Sequence, residues 1–169
     1  MDKTSLPNKR AIRLKGYDYN SKGSYFITIC TKNRKQILSD IRVGTGVLDR
    51  PENKLKDYGQ IADNQLNFMS DFYENISLDK YVIMPNHIHL LLTIKASPNG
   101  RSGTPVPTNS LVAKFISTFK RFCNKEYGYN IWQDRYYDHI IRNQDDYNEK
   151  WEYIEYNPSK WENDDLYQK

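Results

Sequence analysis

The stretch "YVIMPNHIHLLLTIK", residues 81–95, predicts two apolar strands joined by a tight turn. Residues 78–84 and the run that begins at His87 are rich in aliphatic and β-branched side chains, which is typical of strands. Pro85-Asn86 between them is a turn signal. Two strands separated by so short a turn pair in antiparallel fashion, so this stretch predicts a β-hairpin.

Two of the three histidines in the chain, His87 and His89, lie one residue apart in this apolar run. Residues i and i+2 of a strand project from the same face, so the two imidazoles can converge on one metal ion. Ile88 between them then points the opposite way, into a helical layer. By spacing alone, a metal site and a structural histidine pair are about equally favoured.

The rest of the chain alternates strand-like and helix-like segments. Strands are predicted at 25–31 and within 131–142, and amphipathic helices are predicted at 110–128 and from Tyr58 onward. A last helix is predicted at about 144–157. The order β-α-β-β-α-β-α predicts the α+β class: a ferredoxin-like split βαβ antiparallel sheet with an additional C-terminal helix. Two helices on one face leave the other face for a ligand or for that last helix.

The length of 169 residues suits one domain with a real core. We expect residues 1–24 to form a basic N-terminal arm and residues 25–169 to form the single domain. Residues 37–53 are expected to be a loose hairpin or a loop. Residues 95–110, rich in Pro, Gly, Ser and Asn, are expected to be a flexible loop.

The formal net charge of +4 is unevenly distributed. Residues 143–169 hold 3 Lys and 8 acidic residues, whereas the remaining 142 residues hold 22 Lys or Arg and 13 acidic residues. A basic body with an acidic tail favours a polyanion partner for the body. A highly charged protein without such a partner would show the same balance, so charge alone leaves both interpretations open.

Several classes of protein do not fit this chain. Cys30 and Cys123 are far apart and have no CxxC neighbours, which excludes a structural zinc site of the usual type and indicates buried thiols in a reducing compartment. The first ten residues lack the apolar run of a signal peptide. No apolar run approaches the length of a membrane span. We therefore expect a cytoplasmic protein without a membrane segment.

The last predicted helix offers candidates for a third metal ligand and for a nucleophile. Tyr153 and Asn157 are four residues apart and share a helix face. The amide oxygen of Asn157 can bind a hard cation such as Mg²⁺ or Mn²⁺, and the phenol of Tyr153 can attack a phosphodiester. The alternative is that Tyr153 is a packing residue and Asn157 a helix C-cap before Pro158. From these residues alone the alternative is favoured.

The string His87-Ile88-His89 matches the His-hydrophobic-His motif of HUH endonucleases. The block "YVIMPNHIH" followed by "WQDRYYDHIIRNQDDYNEKWEYIEYNP" closely resembles the REP-associated tyrosine transposases, relatives of the single-tyrosine insertion-sequence transposases. The opening "RLKGYDYNSKGSYFITICTKNR" is similar to that family as well, so the resemblance runs from about Arg10 to Trp161. It implies a ferredoxin-like HUH fold that acts on single-stranded hairpin DNA with Mg²⁺ or Mn²⁺.

The resemblance also implies roles for particular residues. The nucleophile falls on Tyr153, and the reaction implied is DNA nicking and strand transfer through a 5′-phosphotyrosine. Insertion-sequence relatives carry Gln at the place of Asn157. Tyr147 and Tyr156 are rival nucleophiles, but Tyr156 adjoins Asn157 and points roughly 100° away from it around the helix. The implied metal ligands are His87, His89 and Asn157.

Residues that contact DNA are predicted more broadly. The basic helix face and the basic arm suit contacts with phosphates, and aromatic rings suit stacking on unpaired bases. Trp132 is a further candidate for such stacking. Solvated charges and core aromatics would explain the same residues equally well. His139 is a candidate helper in catalysis, although a surface or structural role is favoured. The predicted DNA-contacting residues are Arg10, Arg13, Lys15, Lys114, Lys120, Arg121, Lys125, Tyr136 and Tyr137.

Three functions compete at this point. The leading hypothesis is a metal-dependent transposase that nicks DNA. The second is a catalytically silent regulator of the same fold that binds hairpin nucleic acid. The third is an HUH replication initiator or relaxase, which usually belongs to a longer chain with further domains. The chain is expected to act as a monomer or as a homodimer.

Overall fold

The computed structural model of the chain describes residues 22–42, 51–95 and 110–167. Its helices and strands follow the predicted order, with one small hairpin added after the first strand. In chain order they are β1 Gly23–Cys30, β2 Ser39–Arg42, β3 Glu52–Leu55, α1 Asp57–Phe72, β4 Ile76–Ile83, β5 His87–Ile94, α2 Leu111–Tyr127, β6 Tyr137–Ile140 and α3 Gln144–Tyr156.

The central sheet confirms the predicted ferredoxin-like plan. Its four strands lie in the order β4-β5-β1-β6, and each neighbouring pair is antiparallel. The hairpin predicted around Pro85-Asn86 is present: Ile83 pairs with Ile88, and the Met84 N–H donates to the His87 carbonyl at 2.8 Å. The β5 strand is therefore an interior strand, held on one side by β4 and on the other by β1.

Alternation along β1 and β5 divides the side chains between two layers. Tyr25 and Ile27 of β1, with Ile88 and Leu90 of β5, face α1 and α2 and form the main core. This side is called the helix-pair face below. The opposite side, called the histidine face, carries Phe26, Thr28, His87, His89 and Leu91. The prediction that Ile88 points away from the histidines is thus confirmed.

The histidine face is covered in part by α3. Ile154 of this helix packs with Phe26 and Leu91 in a small second core. Asn143 caps α3 by accepting from the Asp146 N–H at 2.9 Å. The predicted stop is present, because α3 ends at Tyr156 and the chain continues as a 3₁₀ turn over Pro158–Asn163.

The helix α2 begins and ends as its sequence predicts. Ser110 accepts from the Ala113 N–H at 3.1 Å, and Gly128 ends the helix with a φ of 79°, a value that favours glycine. Along its inner side Val112 and Phe115 enter the main core. Across the described ranges, each helix is too short or too polar to cross a lipid bilayer.

The structure refines two sequence predictions. The extended segment predicted within 131–142 pairs only over β6, and Trp132 forms an isolated bridge with Thr31. The segment predicted as a loose hairpin or loop contains the β2–β3 hairpin. The loop predicted at 95–110 lies almost wholly outside the described residues, as does most of the predicted arm at 1–24.

Gly59 allows the first turn of α1 to touch the backbone before β2. A Cβ atom at this position would lie 2.0 Å from the carbonyl oxygen of Leu38. We expect Gly59→Ala to lower the free energy of unfolding by about 1–3 kcal/mol, because the overpacking outweighs the higher helix propensity of alanine. Urea unfolding followed by circular dichroism measures this change.

The matched control is Gln60→Ala, one residue further along the same helix turn at an exposed position. We expect this change to alter the free energy of unfolding by less than about 0.5 kcal/mol. Equal effects of the two substitutions would show that the close approach of α1 to Leu38 is not a constraint on the fold.

Candidate metal and tyrosine site

The two imidazoles predicted to converge lie together on the histidine face. The side chains of His87 and His89 are 0% and 3% exposed, and their Nε2 atoms are 3.0 Å apart. The ring of Phe26 stacks on His89 with a centroid distance of 5.0 Å. Both imidazoles are therefore buried with one nitrogen of each aimed at the other.

Asn86 determines which nitrogen of His87 carries the proton. The Asn86 amide nitrogen donates to the Leu166 carbonyl at 2.8 Å, so its oxygen faces His87 Nδ1, also at 2.8 Å. An amide oxygen can only accept, so Nδ1 of the neutral imidazole carries the hydrogen. The lone pair of His87 is consequently on Nε2, which is the atom that faces His89.

Thr28, on the neighbouring strand, forms a hydrogen bond that determines which nitrogen of His89 carries the proton. The two residues are partners in the β1–β5 register, and the Thr28 hydroxyl lies 2.8 Å from His89 Nδ1. A hydroxyl can donate or accept. If it donates, His89 Nε2–H donates to His87; if it accepts, both Nε2 lone pairs face the same point. The second state is the arrangement that a metal ion requires of two histidines.

The C-terminal segment supplies oxygen atoms to this cluster. Asn157 is 3% exposed, and its amide oxygen is buried with no hydrogen-bond partner. Its amide nitrogen donates to Asp164 at 3.0 Å, so Asp164 fixes the direction of that oxygen. Ligand atoms of His87, His89 and Asp164 all lie within 4.8 Å of one another.

The 3₁₀ turn after α3 explains how Asp164 reaches the histidines. Trp161 within this turn is buried, and its ring centroid lies 6.0 Å from that of His87. Asp164 then accepts from the Leu166 N–H at 2.7 Å. Asn157 occupies the C-cap position of α3, as the alternative expected, but that position does not explain its buried amide oxygen, which has no hydrogen-bond partner.

These donors fit a divalent cation. Two neutral imidazoles with an amide oxygen and a carboxylate oxygen combine the nitrogen and oxygen ligands that suit Mn²⁺, and the oxygens suit Mg²⁺. A buried amide oxygen without a partner is costly in a protein interior. A cation bound by Asn157 would remove that cost, so the cluster has the composition of a metal site.

Burial lowers the pKa of His87 to about 3, the positive charge of Arg34 adds to this effect, and the Asn157 side chain opposes it. Burial also lowers the pKa of His89 well below its ordinary value, with His87 adding to the shift and Asp164 opposing it. Both imidazoles are therefore neutral near pH 7, which is the state that binds a metal ion.

Tyr153 lies beside the cluster. Its ring contacts that of His89 edge-on at a centroid distance of 5.2 Å and that of Phe26 at 5.7 Å. The side chain is 44% exposed, so a large substrate can reach it. Burial raises the pKa of its phenol, and the negative charges of Asp164 and Asp165 raise it further, although Asn157 has the opposite effect.

The rival tyrosines lie elsewhere. The Tyr147 hydroxyl donates to Asp79 at 3.0 Å, and its ring packs on the second core. Tyr156 is 55% exposed and lines a separate cavity with Pro158. Of the three tyrosines considered in α3, Tyr153 is the one whose ring contacts a histidine of the cluster in the described structure.

His139 has a structural partner. Its Nε2 atom lies 2.9 Å from both carboxylate oxygens of Asp146, which also accepts from the Arg142 N–H at 3.0 Å. Burial acts to raise the pKa of Asp146, but these hydrogen bonds and the nearby positive charge of Lys150 outweigh it and lower the pKa. His139 thus ties β6 to the start of α3, as the structural interpretation expected.

The predicted DNA-contacting residues do not form one surface. The helix α2 packs on the helix-pair face, so its exposed cations lie across the sheet from the histidines. Lys120 on the same helix donates to the carbonyls of Gln133, Asp134 and Arg135 at 2.7, 3.3 and 3.5 Å, which gives it a structural role. The exposed cations of α2 are Lys114, Arg121 and Lys125.

The aromatic residues predicted to contact DNA also lie in different parts of the structure. Tyr137 is 58% exposed and lines a cavity of about 190 Å³ together with Phe26 and Tyr153. Tyr136 packs against the main core, and Trp132 is fully buried there, so the prediction that Trp132 stacks on bases is wrong. The predicted contacts of the basic arm lie outside the described residues: Arg10, Arg13 and Lys15.

Three residues of the cluster were missed from the sequence: Thr28, Asn86 and Asp164. A signal existed for Asn86, since it immediately precedes the first histidine in a turn. Thr28 could be found only from the register of β1 against β5. Asp164 could be found only from the path of the chain after α3.

Thr28 gives a test of the hydrogen bond that orients His89. We expect Thr28→Val to weaken Mn²⁺ binding by roughly 10–100-fold, because valine cannot accept from His89 Nδ1. Isothermal titration calorimetry measures this affinity. Thr28→Ser keeps the hydroxyl and is expected to bind within about threefold of the unchanged chain. Equal Mn²⁺ affinity in the valine and serine variants would contradict this role.

Burial of the histidines predicts an unusual pH dependence. Exposed histidines with a pKa of about 6.5 lose metal as the pH falls below that value, because protons compete for the ligand nitrogens. His87, with a pKa of about 3, binds no proton between pH 7.5 and 5. We therefore expect the Mn²⁺ affinity to change by less than about threefold over this range. A roughly tenfold loss per pH unit below pH 6.5 would contradict the prediction.

Comparison with known proteins gives relatives along most of the chain. No known protein-family profile matches it. An uncharacterized protein of Haemophilus influenzae is 33% identical over 177 residues, which cover 96% of this chain and 94% of the relative. A putative REP-associated tyrosine transposase of the same organism is 26% identical over 153 residues, covering 85% of this chain and 74% of the relative.

Two further relatives bear on the family. A REP-associated tyrosine transposase of Escherichia coli is 29% identical over 83 residues, which are 49% of this chain and 44% of the relative. A solved structure of a REP-associated tyrosine transposase bound to a REP hairpin has a TM-score of 0.61 at 22% identity, covering 88% of this chain and 74% of that one. Its likeness confirms the fold. The chain is similar to REP-associated tyrosine transposases along most of its length.

Proposed function

We propose that this chain nicks single-stranded DNA beside hairpins and transfers the cut strand through a covalent bond to Tyr153. The observation that carries the proposal is the contact between the Tyr153 ring and the buried histidine cluster. The hairpin substrate is suggested by the related structure, which holds a REP hairpin. The exposed side of Tyr153 gives a DNA strand access to the phenol.

Four side chains of this chain would hold the metal. His87 and His89 present Nε2 atoms, Asn157 presents its unpartnered amide oxygen, and Asp164 orients that amide and offers a carboxylate oxygen. A bound Mg²⁺ or Mn²⁺ would polarise the scissile phosphate and stabilise the charge that leaves with the 3′-oxygen. Burial of the imidazoles keeps them neutral and ready to bind.

Tyr153 performs the covalent step in this proposal. Its phenolic oxygen attacks phosphorus, the bond from phosphorus to the 3′-oxygen breaks, and that oxygen leaves with the electron pair and gains a proton. The products are a 5′-phosphotyrosine and a free 3′-hydroxyl. One phosphoester replaces another, so no nucleotide is hydrolysed, and a 3′-hydroxyl can later reverse the step.

The phenol must lose its proton during the attack. Burial and the charge of Asp164 raise its pKa, so the hydroxyl is protonated in the metal-free protein. In this proposal the proton passes to solvent, which reaches the half-exposed Tyr153 side chain. Ligation of Asp164 would in turn remove the negative charge that disfavours phenolate.

The cavity beside Tyr153 suits a nucleobase. Phe26 and the exposed ring of Tyr137 line it, and Lys150 lies at its edge. Aromatic side chains bind unpaired bases by stacking, and a lysine favours the adjoining phosphate. We therefore place the DNA contact on this side of the sheet rather than on α2. We propose a monomer in which one chain supplies every group of the site; a homodimer that exchanges α3 is the alternative.

The first test of this function is Tyr153→Phe. Incubation of the unchanged chain with Mn²⁺ and 3′-labelled hairpin DNA is expected to give a labelled protein–DNA adduct on a denaturing gel. The phenylalanine variant lacks the attacking oxygen, and we expect its adduct to fall by at least ~10³-fold, to background. Chelation of the metal is expected to abolish the adduct of the unchanged chain.

Tyr156→Phe and Tyr147→Phe are the matched controls, since both residues lie on the same helix. We expect Tyr156→Phe to retain the adduct. Tyr147→Phe removes a hydrogen bond to Asp79. We expect it to lower the free energy of unfolding more than it lowers the yield of adduct. Adduct formation at full rate by Tyr153→Phe would identify another nucleophile. Tight hairpin binding without any adduct would favour the catalytically silent regulator.

A further inference from the structure

Three phenylalanines form an aromatic patch on the outer side of α1 and α2, the side turned away from the sheet. Phe68 and Phe72 of α1 are 57% and 71% exposed, and their rings stack at a centroid distance of 6.4 Å. Phe122 of α2 extends the patch, with its ring centroid 6.4 Å from that of Phe68. Contiguous exposed apolar side chains mark interaction sites, whereas single ones need no explanation. The patch lies across the sheet from the histidine face, so the proposed reaction does not account for it.

The two helices that carry the aromatic patch have opposite charges. The helix α1 contains three acidic residues and no basic residue, whereas α2 contains four basic residues and one acidic residue. Asp63 accepts from the Tyr81 hydroxyl, and Lys120 donates to backbone carbonyls, so these two have partners. The other charges are exposed, and within the described part of the chain none of them forms an ion pair. They are Asp57 and Asp71 on α1, and Lys114, Arg121, Lys125 and Glu126 on α2.

The helices α1 and α2 run antiparallel. The ring of Tyr58, at the start of α1, contacts that of Tyr127, at the end of α2, at a centroid distance of 4.8 Å. Beyond the other end of α1, Tyr73 contacts Phe115 near the start of α2 at 5.4 Å. The first residues of each helix therefore lie level with the last residues of the other.

This alignment places one acidic and one basic side chain at each end of the helix pair. Asp57 and Lys125 lie at the end where α1 begins, and Asp71 and Lys114 lie at the end where α2 begins. In each case the acid is on α1 and the base is on α2. The outer side is thus acidic along one helix and basic along the other, with the contact between Phe68 and Phe122 joining them.

A two-fold axis parallel to the helices would make this surface complementary to itself. Rotation about such an axis places α1 of each copy on α2 of the other and keeps positions along the helices unchanged. Asp71 of one copy then faces Lys114 of the other, and Asp57 faces Lys125. An axis perpendicular to the helices would instead place the acids of α1 against each other. The same acids disfavour a polyanion on this side of the molecule.

We propose that two copies of this chain associate through the outer side of α1 and α2, with the aromatic patches in contact and Asp71 paired with Lys114 across a two-fold axis. This pairing joins two complete monomers without exchange of α3. Each copy therefore keeps its own histidine cluster and its own Tyr153, on the side that faces away from the partner. The inference does not depend on the nicking activity.

The size of the helix pair indicates how tight this association is. Helices of 16 and 17 residues are each about 25 Å long and about 10 Å wide, so the pair presents a face of about 500 Å². Specific interfaces usually bury about 800 Å² on each partner, and smaller ones are weak. We therefore expect a dimer with a dissociation constant on the order of 10–100 μM.

Sedimentation velocity on the full chain tests the association. We expect the average mass to rise from one chain toward two as the concentration rises from about 2 to about 200 μM. Phe72→Ser removes the most exposed ring and is expected to raise the dissociation constant at least ~10-fold. Tyr156→Ser removes a ring that is 55% exposed on α3 and is the matched control, expected to leave the constant unchanged.

Charge reversal tests the two-fold contact itself. Asp71→Lys and Lys114→Asp are each expected to weaken self-association at least ~10-fold, because like charges then face each other twice. In an equal mixture of the two variants, every such contact again joins a lysine to an aspartate. We expect the mixture to associate within about threefold of the unchanged chain. Lys54→Asp, an exposed reversal on β3, is the control and is expected to change nothing.

Each outcome supports or overturns this inference. A chain that remains monomeric over the whole concentration range overturns it. A dimer that withstands Phe72→Ser has another interface, such as one formed by exchange of α3, and overturns it as well. Loss of association by both charge variants without recovery on mixing overturns the pairing of Asp71 with Lys114. A cooperative unfolding transition in each variant excludes misfolding as the cause, and the adduct assay on Tyr153→Phe decides the nicking activity separately.

Discussion

The antiparallel pairing of β1 with β5 is the constraint on which the candidate site depends. It places Thr28 opposite His89 and Cys30 opposite His87 on one face of the sheet. A shift of one residue in this register would turn every side chain of one strand to the other face. The imidazoles would then enter the apolar core instead of meeting each other. The aliphatic side chains that face α1 and α2 prevent such a shift, so the main core also secures the site.

The polar groups of the buried histidine cluster need hydrogen-bond partners inside the protein. Asn86, Thr28 and Asp164 supply most of them, and each comes from a different part of the chain. The Asn157 amide oxygen remains without a partner. The structure thus has an unsatisfied acceptor at the place where the proposed reaction would bring a cation.

Regular elements and the histidine pair could be predicted from local pattern. Strand alternation placed His87 and His89 on one face, and helical spacing placed Tyr153 and Asn157 on one face. These predictions depend on residues within one turn or one strand, where geometry follows directly from the backbone. The basic residues of α2 were harder to interpret, because exposure along a helix does not reveal which layer the helix occupies. Trp132 was misjudged for the same reason, since an aromatic ring in a polar stretch can still be buried by distant residues.

The amino-acid sequence by itself determined the strand and helix order, the shared face of the two histidines and the resemblance to a transposase family. Only the tertiary structure decided which groups complete the cluster. Thr28 reaches His89 through strand register, and Asp164 returns through the turn after α3. These contacts join residues far apart in the chain, and their geometry is set by packing between layers rather than by any local pattern.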